Sequence, residues 1–285
     1  MTIARDPARF DGDGDGEAGR EADREADLAP WRAVAAAFPR ASAELRERRE
    51  LLRRIDTKFV CPADLARALV VGLAPHYAAL AVPSGNLATY DSLYYDTADL
   101  RCYHDHRRGR RLRHKVRVRH YPDRDLSYLE VKSKRNEDVT EKHRRALRFG
   151  DETLGAAERA FVAAVTPLPV DDLRPALRVG FRRLSLVALG GAERVTVDLG
   201  LTAATPDGAR WSVDDVVVIE VKQSPFCVRT PVMQALYGAG LRERSMSKYT
   251  LASAILRAGI RRNRLLPELR ALGSAAHPPR TGRAR

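Results

Sequence analysis

The 285-residue sequence contains few cysteines and few aromatic residues. Its three cysteines, Cys61, Cys102 and Cys227, are far apart, and no Cys-x-x-Cys pair occurs. These absences exclude the common zinc motifs and a disulfide framework. They are typical of free thiols in a reducing compartment, so we expect a cytoplasmic protein.

Long apolar runs and several catalytic motifs are missing as well. No run approaches the roughly 18 apolar residues that span a bilayer, so no transmembrane segment is expected. No Gly-rich phosphate loop of Walker or Rossmann form lies between a strand and a helix. A Gly-x-Ser-x-Gly frame is also absent. The sequence therefore gives no support to P-loop, dinucleotide-binding or serine-hydrolase chemistry.

Positive charge is abundant, and it defines the kind of partner. The net charge is +13 and the pI is about 10.1, which predicts an anionic partner. Proteins that bind single-stranded nucleic acid stack bases on aromatic side chains, and only 6% of these residues are aromatic. No helix-turn-helix or zinc-finger spacing appears. We therefore expect no nucleic acid, which leaves a phosphorylated small molecule or an acidic membrane surface as the anionic partner.

Three segments differ in composition. Residues 1–27 have almost no large apolar residues, which predicts a disordered leader. Residues 28–262 carry the helix and strand patterns of one domain, and residues 263–285 form a basic tail. Strand patterns lie near 51–60, 89–96, 111–120, 126–134, 177–188, 193–199 and 213–222. Helical patterns lie near 28–50, 64–73 and 151–164, after residue 231, and from about 248. This order predicts an α+β fold with a largely antiparallel sheet.

Five strands share one pattern, because successive strand side chains point to opposite faces. The charged faces are Arg54, Asp56 and Lys58; Arg111, Arg113, Lys115, Arg117 and Arg119; Glu130, Lys132 and Lys134; Arg194 and Asp198; and Glu220 and Lys222. Each opposite face is mainly apolar. A closed or nearly closed sheet would enclose the charged faces in a polar interior. The alternative is a set of ordinary amphipathic strands with charges in water.

Five histidines surround the most basic strand: His104, His106, His114, His120 and His143. No pair has ligand spacing on an identified helix. We interpret them as surface or strand-end residues in preference to metal ligands.

Eight short motifs in order resemble a known family. They are Arg-Ile-Asp-Thr-Lys-Phe (54–59), Tyr-Tyr-Asp-Thr (94–97), Lys-Val-Arg-Val-Arg-His-Tyr (115–121), Leu-Glu-Val-Lys-Ser-Lys (129–134), Phe-Arg-Arg-Leu-Ser-Leu (181–186), Arg-Val-Thr-Val-Asp (194–198), Ile-Glu-Val-Lys (219–222) and Ser-Met-Ser-Lys-Tyr (245–249). The set is similar to the VTC domain, the polyphosphate polymerase domain of the CYTH-like triphosphate tunnel metalloenzyme superfamily. The resemblance implies an eight-stranded antiparallel β-barrel tunnel with flanking helices.

The resemblance also implies an activity and a site. Such domains transfer the γ-phosphate of ATP onto a growing polyphosphate chain with Mn²⁺ or Mg²⁺. The implied catalytic residues are Lys58, Arg117, Arg119, Lys222 and Lys248. The implied substrate-binding residues are Lys115, Lys132, Lys134, Arg183, Arg194 and Ser247, with Arg182 as an alternative to Arg183. The implied metal ligands are Glu220, Glu130 and Asp198.

The sequence departs from the superfamily hydrolases in its first strand. Those proteins open with Glu-x-Glu-x-Lys, whereas Arg54 and Asp56 precede Lys58 here. The change favours a polymerase over a triphosphatase, while a metal-dependent hydrolase and a non-catalytic polyphosphate-binding module stay open. Expected partners are ATP and inorganic polyphosphate. The regulatory SPX domain and transmembrane helices of eukaryotic relatives are not found in the sequence, so an unidentified membrane or regulatory partner is left open.

Overall fold

The computed structural model describes residues 28–48, 55–134 and 140–273. Predictions for residues 1–27, Arg54 and residues 274–285 therefore lie outside the described residues. The helices are α1 (28–36), α2 (Ala43–Arg48), α3 (Ala63–Val71), α4 (Arg101–Arg108), α5 (Ala156–Val165), α6 (Pro231–Gly238), α7 (Lys248–Leu256) and α8 (Leu266–Ala271). The strands are β1 (Ile55–Pro62), β2 (Tyr77–Ala79), β3 (Leu87–Asp96), β4 (Arg113–Tyr121), β5 (Leu126–Lys134), β6 (Thr140–Leu147), β7 (Arg174–Ala188), β8 (Glu193–Ala204), β9 (Arg210–Val213) and β10 (Val216–Gln223).

All ten strands belong to one sheet, and every described pairing between two of these strands is antiparallel. Eight of them form the path β1-β10-β8-β7-β3-β4-β5-β6, while β2 pairs with β7 and β9 with β8. This confirms the predicted antiparallel sheet with flanking helices and its tunnel-type fold. Within the described ranges, β1 and β6 are the ends of the path and are not paired with each other.

The apolar strand faces form the core beneath the helices. On β4 and β5, Val116, Val118, Leu129 and Val131 have no exposed surface. Burying a side chain of this size contributes about 1.5–3 kcal/mol, so this row anchors the two strands. One core cluster joins these residues to α5, α7 and α8, and a second joins β1, β8 and β10 to α1, α3 and α6. The alternation therefore directs the opposite, charged faces away from the helices.

The sheet curls so that its charged faces meet. Strands β5 and β10 are five positions apart on the path, which would separate them by about 24 Å in a flat sheet. Burial nevertheless lowers the pKa of Lys132 on β5, and the charges of Glu220 on β10 and Asp56 on β1 oppose that shift. Charges so far apart in a flat sheet would be screened. The charged faces of these strands therefore face a common space, which we call the lumen.

A β-bulge in β8 helps to bend the sheet. Gly180 and Arg182 of β7 pair with Thr202 and Leu199 of β8, so two β8 residues lie opposite the single residue between them. One of the two, Gly200, has a φ of 57°, the left-handed conformation that glycine adopts without steric cost. Such bulges increase local twist and bend the strand.

Several elements differ from the sequence predictions. Strand β6 and helix α4 were not predicted, because β6 is polar on both faces and α4 has few apolar residues. His114 and His120 lie next to the two ends of β4, within the strand-end alternative of the prediction, and both are buried. Nδ1 of each lies within hydrogen-bond distance of a serine hydroxyl of β5, which gives that ring nitrogen a buried polar partner.

Candidate functional site

The carboxylate of Glu220 is held by two lysines in the lumen. Lys58 of β1 lies opposite Glu220 of β10, and its Nζ is 2.9 Å from Oε1. Lys222, two residues along the same face of β10, donates to the other carboxylate oxygen. Three predicted site residues therefore form one ion-pair group. Asp56 also faces this group, since its charge acts on both Lys132 and Lys222.

A second group surrounds Asp198 of β8, whose side chain is only 1% exposed. Arg183 of β7 donates from Nε to Oδ1 at 2.5 Å and from Nη2 to Oδ2 at 2.7 Å. Lys248, the first residue of α7, also pairs with Oδ2. A cation is unfavourable at a helix N-terminus, so Asp198 offsets a cost that Lys248 would otherwise impose. Arg182 instead donates to Thr89 at 3.0 Å, so Arg183 is the lumen arginine.

The third group is centred on Glu130 of β5, whose side chain is 2% exposed. Arg117, directly opposite on β4, donates from Nε and Nη2 to Oε2 at 2.9 and 2.6 Å. Lys142 of β6 places its Nζ 2.5 Å from Oε1. Arg117 also donates from Nη1 to the hydroxyl of Tyr94 at 2.9 Å. Lys142 was missed from the sequence because β6 shows no alternation of polar and apolar residues.

Neighbouring cations keep all three carboxylates ionised. Burial raises the pKa of Glu130 and of Asp198, but the surrounding cations outweigh burial and lower each pKa to about 2. The pKa of Glu220 also lies well below its usual range, because Lys222 and Lys58 outweigh burial. Carboxylates with such low pKa values are weak bases at neutral pH, so none of the three is suited to deprotonating water.

Three lysines of the lumen have lowered pKa values, which means that their charged forms are disfavoured. Burial lowers the pKa of Lys222 to about 8, although Glu220 favours its charged form. Burial also lowers the pKa of Lys115 and Lys132, which lie opposite each other on β4 and β5 and repel each other or Arg117. Such a cluster is destabilised by its own charge, and a bound anion would relieve that repulsion.

Aromatic rings line the part of the lumen that lies away from Arg113. Tyr90 of β3 stacks on Phe181 of β7 with ring centroids 5.0 Å apart. The guanidinium groups of Arg119 and Arg183 lie 5.2 and 4.8 Å from the Tyr90 centroid. The Lys248 ammonium lies 4.7 Å from the Phe181 centroid. The sequence patterns missed these contacts, because the rings belong to neighbouring strands and not to the basic strand.

The remaining predicted residues lie at defined places near this lumen. Lys134 is opposite Arg113 at one end of β4 and β5. Arg194 of β8 is opposite Lys222. Ser247 is the N-cap of α7, and its hydroxyl accepts a hydrogen bond from the Thr250 backbone at 3.4 Å. No described contact assigns Ser247 to the lumen.

The three predicted metal ligands do not form a compact cluster. In the part of the chain that the structure describes, the one group of three acidic or histidine side chains close enough to share an ion is Asp91, His120 and Glu152. Arg178 occupies that group, with contacts of 2.5 Å to Asp91 and 2.6 and 2.8 Å to Glu152. The guanidinium thus supplies the positive charge there, so we interpret the group as an ion-pair network.

The curled antiparallel sheet and its cation-rich lumen define a protein of the tunnel-fold class. The family model described as VTC domain matches residues 53–257, which is most of the chain. The protein belongs to the VTC domain family. No curated protein sequence matches the chain significantly. Among the described residues, no helix is long and apolar enough to cross a membrane.

Several solved structures share a weaker likeness. A candidate adenylate cyclase from Bacillus halodurans is 11% identical, with a TM-score of 0.46 over 68% of this chain and 94% of that one. A candidate adenylyl cyclase from Hippeastrum, described as having a dominant triphosphatase activity, is 13% identical, with a TM-score of 0.42 over 70% and 94%. A conserved protein of unassigned function from Pyrococcus furiosus is 12% identical, with a TM-score of 0.40 over 69% and 99%.

Proposed function

We propose that the protein is an ATP-dependent polyphosphate polymerase. The observation that carries the proposal is the chemistry of the lumen, where cations outnumber carboxylates and each of the three central carboxylates is already neutralised. Such a surface has excess positive charge for a phosphate chain. Membership of the VTC domain family supports a substrate of polyphosphate or nucleoside triphosphate type.

The acid–base character of the site favours a phosphate acceptor over water. Water must lose a proton when it attacks a phosphoryl group, and Glu130, Asp198 and Glu220 have pKa values too low to accept one efficiently. The terminal oxygen of a polyphosphate chain is already anionic. It attacks the γ-phosphorus, the bond from that phosphorus to the bridging oxygen of ADP breaks, and ADP leaves with the electron pair. The charge balances without proton transfer.

The cations then position the two phosphate chains. Arg117 and Arg183 present planar forks to phosphate oxygens, and Lys58, Lys222 and Lys248 supply compact charge. Phosphoryl transfer depends mainly on such positioning and charge neutralisation. An entering phosphate competes with the carboxylates for these cations, so binding exchanges one ion-pair set for another.

A divalent metal fits one corner of this site. Glu220 and Asp56 both adjoin Lys132 and Lys222, which gives two carboxylates near one phosphate position. Mg²⁺ and Mn²⁺ prefer oxygen donors and commonly use one or two carboxylates together with phosphate oxygens. We assign Glu220 as the main metal ligand and Asp56 as a second. The ion would neutralise charge on the transferred group.

Product analysis tests the proposal. Purified protein is incubated with ATP and Mn²⁺, the paramagnetic ion is removed with a chelating resin, and ³¹P NMR then identifies the products. Internal chain phosphates together with ADP are expected. Orthophosphate without polymer would instead indicate a hydrolase, and tight polyphosphate binding without turnover would indicate a binding module.

A further inference from the structure

A second concentration of arginine lies outside the lumen. It is formed by the end of α4, the loop that follows it, and the segment after α7. We name it the outer arginine track, and its members are Arg107, Arg108, Arg110, Arg111, Arg261, Arg262 and Arg264. Arg107 and Arg262 are partly buried and the other five are exposed. The chemical mechanism does not use any of them.

The two segments of the track are fastened together. Arg264 donates from Nη1 to the Arg108 carbonyl oxygen at 2.9 Å, and the Tyr103 hydroxyl donates to the Arg261 carbonyl oxygen at 3.0 Å. Burial raises the pKa of Tyr103 to about 12 against the charges of Arg107 and Arg262. Both guanidinium groups are therefore close to the same phenol, and the two segments of the track lie side by side.

The track joins the lumen at the end marked by Arg113. Arg113 donates from Nη1 to the carbonyl oxygen of Arg110 at 2.6 Å. On α4, burial and the charges of Lys115 and Arg113 hold the pKa of His106 well below its usual range, so this helix reaches the lysines of the lumen. A cavity of about 310 Å³ lies beside Arg110 and Arg111.

The charge of the track calls for a phosphate-rich partner. Asp105 pairs with Arg110 at 3.2 Å, and no other ion pair to a track arginine is found among the described residues. Guanidinium groups match phosphate oxygens well. Exposed aromatic rings, which single-stranded nucleic acids require for stacking, do not occur on the described track. A membrane surface would have Leu112 as its main apolar contact, since this is the exposed large apolar residue of the loop.

We propose that the outer arginine track binds the part of a polyphosphate chain that extends beyond the Arg113 end of the lumen. This proposal rests on the proposed function for its ligand, and it adds a site that ATP and tripolyphosphate are too short to fill. The site selects for chain length, because a long chain contacts the lumen and the track together. Bridging two sites in this way increases affinity through effective concentration.

The test compares two variants of equal charge in the full-length chain. The track variant is Arg108→Gln with Arg111→Gln, and the control is Arg124→Gln with Arg148→Gln. Both control residues are exposed. Arg124 follows β4 and Arg148 follows β6, and both lie at the end of these strands away from Arg113. Dissociation constants are measured by titration calorimetry with tripolyphosphate and with long-chain polyphosphate, and circular dichroism checks the fold.

The track variant is expected to bind long-chain polyphosphate about ten-fold more weakly, or about 1.4 kcal/mol, with unchanged affinity for tripolyphosphate. The slope of log K against log salt concentration should flatten by about 1.4, since each neutralised phosphate of a single-stranded polyanion contributes about 0.7. The control should change neither quantity. If the track variant misfolds, Arg111→Gln alone should still weaken long-chain binding.

Three results would overturn the proposal. Equal losses in the track and control variants would show a non-specific charge effect. Unchanged long-chain affinity, with tripolyphosphate still bound, would remove the track while leaving the lumen site intact. Loss of binding to vesicles containing anionic lipid, without any change for polyphosphate, would assign the surface to a membrane. Failure of the unmodified protein to bind tripolyphosphate would instead refute the proposed function itself.

Discussion

Lys222 gives the lumen a predictable dependence on pH. Burial lowers its pKa to about 8, even though the charge of Glu220 opposes the shift. A phosphate chain beside the ammonium group adds negative charge and therefore raises the pKa. By linkage, binding takes up a proton at pH values above 8, and affinity falls as the pH rises through that value.

The size of the loss in affinity follows from the pKa of Lys222. At one pH unit above 8, about one tenth of Lys222 is protonated, so affinity falls about ten-fold, or about 1.4 kcal/mol. The effect of Lys222 on the free energy of unfolding has the opposite dependence on pH. The ordinary lysine pKa is 10.5, so between about 8 and 10.5 the unfolded chain binds more protons and this group makes the free energy of unfolding rise with pH.

Lys222→Arg is the matched variant, because a guanidinium keeps its charge throughout this range. Tripolyphosphate binding is measured by calorimetry on both sides of pH 8, in buffers with different ionisation enthalpies. Titration of the ligand and of Lys115 and Lys132 is common to both proteins. On binding tripolyphosphate, the unmodified protein should take up as much as one proton more than the Lys222→Arg variant. Its affinity should also fall more steeply as the pH rises. Overlapping pH profiles for the two proteins would refute the role of Lys222.

Further predictions concern the three ion-pair groups. Glu220→Gln should abolish metal-dependent turnover without unfolding the protein, and activity retained at saturating Mn²⁺ would remove its metal role. Arg117→Ala should raise the dissociation constant for ATP more than about ten-fold through loss of a charge-assisted phosphate contact, and unchanged calorimetric affinity would contradict its position. Asp198→Asn should lower the free energy of unfolding by about 3 kcal/mol, because Arg183 and Lys248 lose a buried partner. The pKa of Asp198 is lowered to about 2, so its contribution to the free energy of unfolding should be lost as the pH falls from 4 towards 2. Denaturant titrations at pH 7 that agree for the unmodified protein and Asp198→Asn would refute this role.

The sequence predicted the sheet where strand patterning was strong. In β4 and β5 the apolar rows Val116, Val118, Leu129 and Val131 are fully buried, as the alternation indicated. The prediction failed where a strand does not alternate polar and apolar residues. Edge strand β6 has polar side chains on both faces and most of its residues are exposed, so its sequence carries no alternation to detect.

The candidate site was predictable as a set of charges but not as an arrangement. Alternation and the ordered motifs assigned Glu220 and Lys58 to charged faces, whereas only the register shows that they lie opposite each other. The choice between Arg182 and Arg183 depended on the same three-dimensional information. Lys142 and the Tyr90–Phe181 stack depend on contacts between different strands, which a pattern within one strand does not reveal.

A crystal structure with tripolyphosphate and Mn²⁺ tests the central claim most directly. Anomalous scattering from manganese locates the ion, and density for three phosphates locates the anion. The account predicts phosphates between Arg117 and Arg183 in the lumen, with manganese bound by Glu220. Phosphates outside the lumen, or manganese at Asp91, His120 and Glu152, would contradict it.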